Sequence, residues 1–175
     1  MLLTISGLPG SGTSTIAVAV AESLALERVD GGSVWRSLGA ELGMTVAEFS
    51  AFSETHPEVD AELDARLAAR AHEGDVVLES RLAAWIAANE GLPALRVWVD
   101  CAEGERAVRV ARRDGLDPDA ALAANRARES SERLRYQTLY GIDLADRSIY
   151  ELILDSTTAA PETLVVAIVE AVGPS

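Results

Sequence analysis

Short apolar runs alternate with helical stripes along the 175-residue chain, and their order predicts an architecture. Runs bounded by turn residues, the pattern of buried strands, fall at Leu2–Ser6, Arg28–Asp30, Val76–Glu79, Leu95–Asp100 and Leu152–Asp155. Apolar residues spaced three and four apart predict helices over about 14–25, 33–42, 45–54, 58–73, 82–89, 103–113, 118–139 and 161–172. Strands alternating with helices imply an α/β three-layer sandwich, a parallel five-stranded sheet with helices on both faces. Two segments interrupt the alternation. The first, about 31–73, is helical and lies between the second and third strands. The second, about 112–120, holds the turn Asp114-Gly115-Leu116-Asp117-Pro118, with Asp117 as a helix cap and Pro118 as a first helical residue. No repeat or linker divides the chain, so a single domain over 1–175 is expected.

Composition narrows what such a domain can bind. With 49% hydrophobic and 25% charged residues the chain reads as globular. Its 28 acidic residues against 15 basic ones give a net charge of −13, which argues against nucleic acid and anionic membranes as partners. The sequence contains no lysine, so an anionic ligand must be met by local clusters of arginine. A salt-rich cytoplasm and a biased genome composition both account for that acidity. The single cysteine, Cys101, excludes an internal disulfide, and His56 and His72 lack metal-ligand spacing. No apolar run is long enough to span a bilayer, and the glycine-rich segment opening at residue 7 leaves no signal peptide ahead of the first strand. A cytoplasmic monomer is expected.

That segment, Gly7-Leu8-Pro9-Gly10-Ser11-Gly12-Thr13-Ser14-Thr15, carries the clearest chemistry. It joins the first strand to a helix, so converging backbone N–H groups and the positive end of the helix make a phosphate cradle. The spacing is that of a P-loop, with Thr13 where lysine normally stands and Ser14 where a hydroxyl would coordinate Mg²⁺. Glu79, ending the third strand, is placed to hold the same ion through water; a helix cap or an ion pair with Arg81 is the plainer role. Arg128, Glu132 and Arg135 lie on one stripe of a long helix, which is either a solvated ion-pair ladder or a phosphate clamp. With Arg36 after the second strand, Arg81 after the third, and Arg112 and Arg113 beside the second interruption, the clamp gains support. The interruptions then read as an acceptor-binding insert and a lid.

These residues carry a resemblance that runs nearly end to end. Gly7–Thr15, Gly31-Gly32-Ser33-Val34-Trp35-Arg36, Gly43-Met44-Thr45-Val46-Ala47-Glu48-Phe49, Val77-Leu78-Glu79-Ser80-Arg81-Leu82-Ala83 and Arg128–Tyr136, continuing through Tyr140-Gly141-Ile142-Asp143 to Asp146-Arg147-Ser148-Ile149-Tyr150, resemble the archaeal-type cytidylate kinases, a family of P-loop nucleoside monophosphate kinases. The resemblance implies transfer of the γ-phosphoryl group of ATP to CMP or dCMP, with Mg²⁺. It implies that Arg36, Arg81, Arg128 and Arg135 hold the acceptor phosphate or the transferring group, and that Ser33, Arg66 and Glu132 recognise the acceptor. Trp35, Leu67 and Ser80 depart from the family pattern, which has phenylalanine or tyrosine, glutamine and glycine there. A kinase of another small acceptor, such as AMP or shikimate, and a noncatalytic nucleotide-binding module are the alternatives.

Overall fold

Five parallel strands form one sheet in the order β2-β3-β1-β4-β5, with β1 at Leu2–Gly7, β2 at Glu27–Asp30, β3 at Val76–Glu79, β4 at Leu95–Asp100 and β5 at Leu152–Asp155. The structure, a computed structural model, describes residues 1–173; positions 174–175 of the expected domain and the side chains of Val46, Ala47 and Ser50 lie outside it. The helices are α1 (Thr13–Leu24), α2 (Gly31–Glu41), α3 (Val46–Ser53), α4 (Glu58–Glu73), α5 (Ala83–Asn89), α6 (Glu103–Asp114), α7 (Pro118–Tyr140) and α8 (Pro161–Val172). None is long and apolar enough to cross a membrane among the described residues.

The expected strands and helices all form, and the largest shift is at the start of α2. Asp30 caps that helix, its carboxylate accepting from Gly32 N at 2.9 Å, so the two glycines lie inside the first turn rather than before it. A capping box between Thr45 and Glu48 starts α3, and αL glycines at 115 and 141 end α6 and α7.

Alternation along β1 divides the core. Leu3 and Ile5 pack with Ile16, Val20, Val97, Leu164 and Ile168 under α1 and α8, while Leu2 joins Leu67, Val76, Leu78, Ile86 and Tyr136 under α4, α5 and α7. Each such buried aliphatic side chain contributes roughly 1.5–3 kcal/mol. The insert has a core of its own, Leu38, Phe49 and Val59 with Trp35, Phe52 and Leu63 packed on it. In register Ile5 lies beside Glu79, Asp30 beside Glu79, and Gly7 beside Val99, so Gly7, Asp30 and Glu79 gather at the carboxyl edge where α/β sheets bind ligands.

Gly39 is the contact that lets the insert close on itself. A Cβ there would stand 2.8 Å from the ring of Phe49, which is 1% exposed. Alanine favours a helix over glycine by about 1 kcal/mol. Gly39→Ala is nonetheless expected to destabilise the protein by about 1–3 kcal/mol, because the ring has nowhere to go. Chemical denaturation decides the sign, and a midpoint raised by the substitution would contradict the packing argument.

Candidate active site

The turn from β1 into α1 leaves no room for side chains. A Cβ on Gly7 would lie 2.5 Å from Ser11 Oγ and 2.7 Å from the Val99 carbonyl, and one on Gly10, whose φ is +85°, would lie 2.5 Å from the Arg106 carbonyl. Gly12, at φ +87°, is the N-cap of α1, so the loop delivers its backbone to the positive end of that helix. Arg106 fastens the loop from behind. It is 4% exposed, donates to the carbonyls of Pro9 and Cys101 at 3.2 Å each, and is ion-paired with Glu129. Ser156 Oγ donates to the Ser11 carbonyl at 2.7 Å, and Arg109 Nη2 donates to the Ser156 carbonyl at 2.6 Å.

Beside the cradle Ser14 Oγ donates to Glu79 Oε1 at 2.6 Å, and the second oxygen of Glu79 accepts from Arg28 Nε at 3.0 Å. The partner of Glu79 is therefore Arg28 and not Arg81. A hydroxyl and a carboxylate in contact next to a phosphate cradle are the oxygen donors a hard cation takes, so this pair fits Mg²⁺. No three histidine, cysteine or carboxylate side chains converge on a metal position among the described residues, which leaves the remaining ligands to phosphate oxygens and water.

Arg81 and Arg128 meet on one carboxylate. Glu132, buried at 6% exposure, accepts from Arg81 Nε at 2.9 Å and from Arg128 Nε at 2.7 Å, while Arg81 Nη1 donates to the Gly7 carbonyl at 2.5 Å. Burial pushes the Glu132 carboxyl up, but Arg81 and Arg128 together hold it below the usual range. Each oxygen accepts from one arginine, so Glu132 orients both arginines and keeps a further lone pair on each oxygen. The stripe on α7 thus faces the cleft, which settles against a wholly solvated ladder.

Arg135, one turn further along α7, has different company. Its Nε stands 2.9 Å from Asp60 Oδ2, out of line for a hydrogen bond, and both atoms are buried without a hydrogen-bond partner. Burial raises the Asp60 carboxyl, with Arg135 opposing and Glu132 reinforcing. Asp60, Arg135, Trp35, Leu63 and Tyr136 line a cleft of about 990 Å³ together with the cradle, Arg109 and Arg113. Six arginines, at 36, 81, 109, 113, 128 and 135, face five carboxylates in this cleft, so a chain of net charge −13 gathers its cations here.

Some expected residues lie elsewhere. Arg66 is turned onto the outer face of α4, where it binds Glu62 at 2.7 Å and Glu41 at 2.9 and 3.0 Å, so it does not reach the cleft. The i,i+4 spacing from Glu62 satisfies it on the surface. Ser33 Oγ donates to Asp30 Oδ2 at 2.6 Å and accepts from Arg36 Nη2 at 2.8 Å, making it a support for Arg36 at the rim. Arg113 lines the cleft while gripping Asp114 at 2.6 and 2.8 Å; Arg112 is exposed and makes no ion pair among the described residues. Sequence reasoning missed Arg28, Asp60, Arg106 and Arg109. The i, i+3, i+7 spacing of Arg106, Arg109 and Arg113 on α6 was a signal for one functional face. Nothing local marks Arg28 or Asp60.

A parallel sheet with a glycine cradle after its central strand, opposite a wall of arginines, defines a P-loop phosphotransferase fold. The chain belongs to the cytidylate kinase-like family, whose profile matches residues 2–158. It is 44% identical over 158 residues to the cytidylate kinase of Methanocaldococcus jannaschii, covering 90% of this chain and 89% of that one. It is 43% identical over 171 residues to the cytidylate kinase of Pyrococcus horikoshii, covering 98% and 87%. Among solved structures, shikimate kinase from Bacteroides thetaiotaomicron shares the fold, with a TM-score of 0.66 at 15% identity over 99% of both chains.

Behind the cleft, one turn from Asp60, Asp64 lines a small cavity of about 190 Å³ with Trp85 and Tyr140. Burial pushes its carboxyl up to about 6, with the Tyr140 hydroxyl opposing and Asp60 reinforcing. An unfolded aspartate titrates near about 3.9, so the folded state prefers the proton and stability falls as pH rises from about 4 to about 6, the full penalty being present above that. Asp64→Asn is expected to raise the Tm at about pH 7.5 and to leave it nearly unchanged at about pH 4. Calorimetry at the two pH values checks this; an equal shift at both would detach the effect from titration.

Proposed function

We propose that the protein transfers the γ-phosphoryl group of ATP to CMP or dCMP, giving CDP or dCDP and ADP. Kinship with cytidylate kinases at 43–44% identity supports the acceptor. The observation that carries the chemistry is the pair Arg81 and Arg128 held on Glu132, with Arg81 also tied to the carbonyl of Gly7 where the cradle begins.

In this reading the backbone of residues 7–15 holds the phosphates of ATP, as anions are held at helix N-termini. Ser14, with Glu79 beside it, would hold Mg²⁺ next to the phosphates, where the ion would supply countercharge. Arg36, Arg81 and Arg128 fix the acceptor phosphate so that one of its oxygens faces the γ-phosphorus. The new P–O bond forms as the bond to the β,γ-bridging oxygen breaks, and ADP leaves with that electron pair. The attacking oxygen is already anionic, so no general base is needed. Arg109 and Arg113, with Arg112 brought in as the 112–120 segment closes, complement the equatorial oxygens. These arginines answer the absence of lysine at Thr13. Residues 31–73 serve as the acceptor-binding insert. The proposal extends to a cytoplasmic monomer whose partners are these small molecules, not nucleic acid or membrane.

A coupled ADP-release assay over CMP, dCMP, UMP, AMP and shikimate tests the assignment. CMP and dCMP are expected to be the best acceptors, and equal or better turnover of AMP or shikimate would overturn it. ATP binding with no turnover of any acceptor would mark a noncatalytic module.

Arg128→Ala is expected to lower kcat/KM by roughly a hundredfold or more, since a charged contact made in the transition state is removed. Its side chain is 59% exposed, so stability should move by well under about 1 kcal/mol. Near-normal kinetics with a lowered Tm would reduce Arg128 to a structural ion pair.

A further inference from the structure

Strand β2 sets a guanidinium between two carboxylates. Residues two apart on a strand share a face, so Arg28 and Asp30 point the same way, and the register places Asp30 beside Glu79 on β3. Arg28 donates from Nε and Nη2 to Glu79 Oε2 at 3.0 and 2.5 Å. The same Nη2 stands 3.7 Å from Asp30 Oδ2, within ion-pair range but too far for a hydrogen bond. All three side chains are mostly buried, where charges are poorly screened. Without the arginine, two like charges would face each other on neighbouring strands.

Each acid has further partners, and these lead to different parts of the site. Glu79 Oε1 accepts from Ser14 at the cradle, at 2.6 Å. Asp30 Oδ2 accepts from Ser33 Oγ at 2.6 Å and from Arg36 Nη2 at 3.5 Å, and Arg36 Nη2 also donates to Ser33 Oγ at 2.8 Å. One line of contacts therefore runs from Ser14 through Glu79, Arg28, Asp30 and Ser33 to Arg36. Ser14, Asp30, Arg36 and Glu79 line the cleft, and Arg28 joins them from behind that lining. The longest step is the 3.7 Å between Arg28 and Asp30, so the guanidinium leans on Glu79. Attraction to the two acids decides where it stands, and whatever lowers the charge on Glu79 favours Asp30.

We propose, resting on the function assigned above, that Arg28 is a positioning residue that couples the metal side of the site to the acceptor side. With a divalent cation held at Ser14, the Glu79 carboxylate has less charge to offer Arg28, and the guanidinium closes on Asp30. Asp30 then holds Ser33 and Arg36 less firmly, and Arg36 is released to meet the acceptor phosphate. Arginine suits the position because its planar fork reaches both acids and never loses its charge. Linkage makes the effect reciprocal. An acceptor phosphate on Arg36 frees Asp30 for Arg28, which leaves Glu79 freer for the cation by the same factor. No bond is broken and no proton moves along the line.

Binding is measured without turnover, on the ADP complex, because ADP has no γ-phosphoryl group to give. In calorimetric titrations the unaltered protein is expected to bind CMP at least about fivefold more tightly with ADP and Mg²⁺ than with ADP and a chelator. Arg28→Met removes the charge and keeps much of the length. It is expected to cut that factor below about twofold while CMP affinity under chelator stays within about threefold of the unaltered protein. Asp30→Asn keeps a good helix cap but loses the charge that draws Arg28 across, so the coupling is expected to vanish there too. A direct pull of the cation on the CMP phosphate would survive both substitutions. Coupling in Arg28→Met within about twofold of the unaltered value therefore overturns the inference, as does a factor below about twofold in the unaltered protein. If Arg28→Met fails to fold by circular dichroism, Asp30→Asn decides by the same criterion. Turnover of CMP without coupling sinks only this inference, whereas neither binding nor turnover of CMP removes the acceptor assignment and this reading with it.

Discussion

The carboxylate of Glu132 is the point on which the cleft depends. Each of its oxygens accepts from a different arginine, one on the loop after β3 and one on α7, and the first of these also reaches the carbonyl of Gly7. A strand end, a neighbouring loop and a helix of 23 residues are thereby joined through one buried charge. Two cations so close together would repel one another, and the carboxylate between them is what allows both to face a phosphate. Removing it would leave Arg81, the more buried of the two, without a countercharge, and breaking a buried pair costs about 3–5 kcal/mol where it has been measured in other proteins. Both the arrangement of the arginines and the tie between α7 and the cradle follow from that contact.

The absence of lysine becomes intelligible in the same terms. A P-loop lysine is a flexible point charge, whereas guanidinium groups are planar forks whose directions can be fixed by their partners. Here the partners are supplied one by one: Glu132 for Arg81 and Arg128, Asp114 for Arg113, Glu105 and Ser156 for Arg109, and Ser33 with Asp30 for Arg36. The acids that make the chain strongly negative are in part the groups that aim its cations. Net charge alone says that anions are repelled, and the geometry shows where that repulsion is locally cancelled.

Strands and helices were legible because each has a distinct period and ends in a turn or cap, and the start of α2 shifted only because Asp30 caps two glycines that read as loop. The cradle was legible for a similar reason, since its glycines are required by close approaches to Ser11, Val99 and Arg106. Pairings across the sheet were not. Whether Glu79 meets Arg81, two residues away, or Arg28, fifty-one residues away, depends on β2 lying beside β3, and no local spacing carries that information. Arg66 failed in the opposite direction. It sits on the same helix as Asp60, but its neighbours Glu62 and Glu41 turn it outward, while Asp60 faces in. A single arginine or aspartate has no period, so its side of the helix is set by the elements packed against it.

Helix α7 connects these observations along one axis. It starts at the turn after α6, passes Arg128 and Glu132 at the level of the cradle, and ends beyond Arg135 near Tyr136 and Tyr140. Its rise of about 1.5 Å per residue puts Arg135 about 10 Å beyond Arg128, comparable to the reach of a nucleotide from phosphate to base. A rigid helix thus holds Arg128, Glu132 and Arg135 at fixed separations along the cleft.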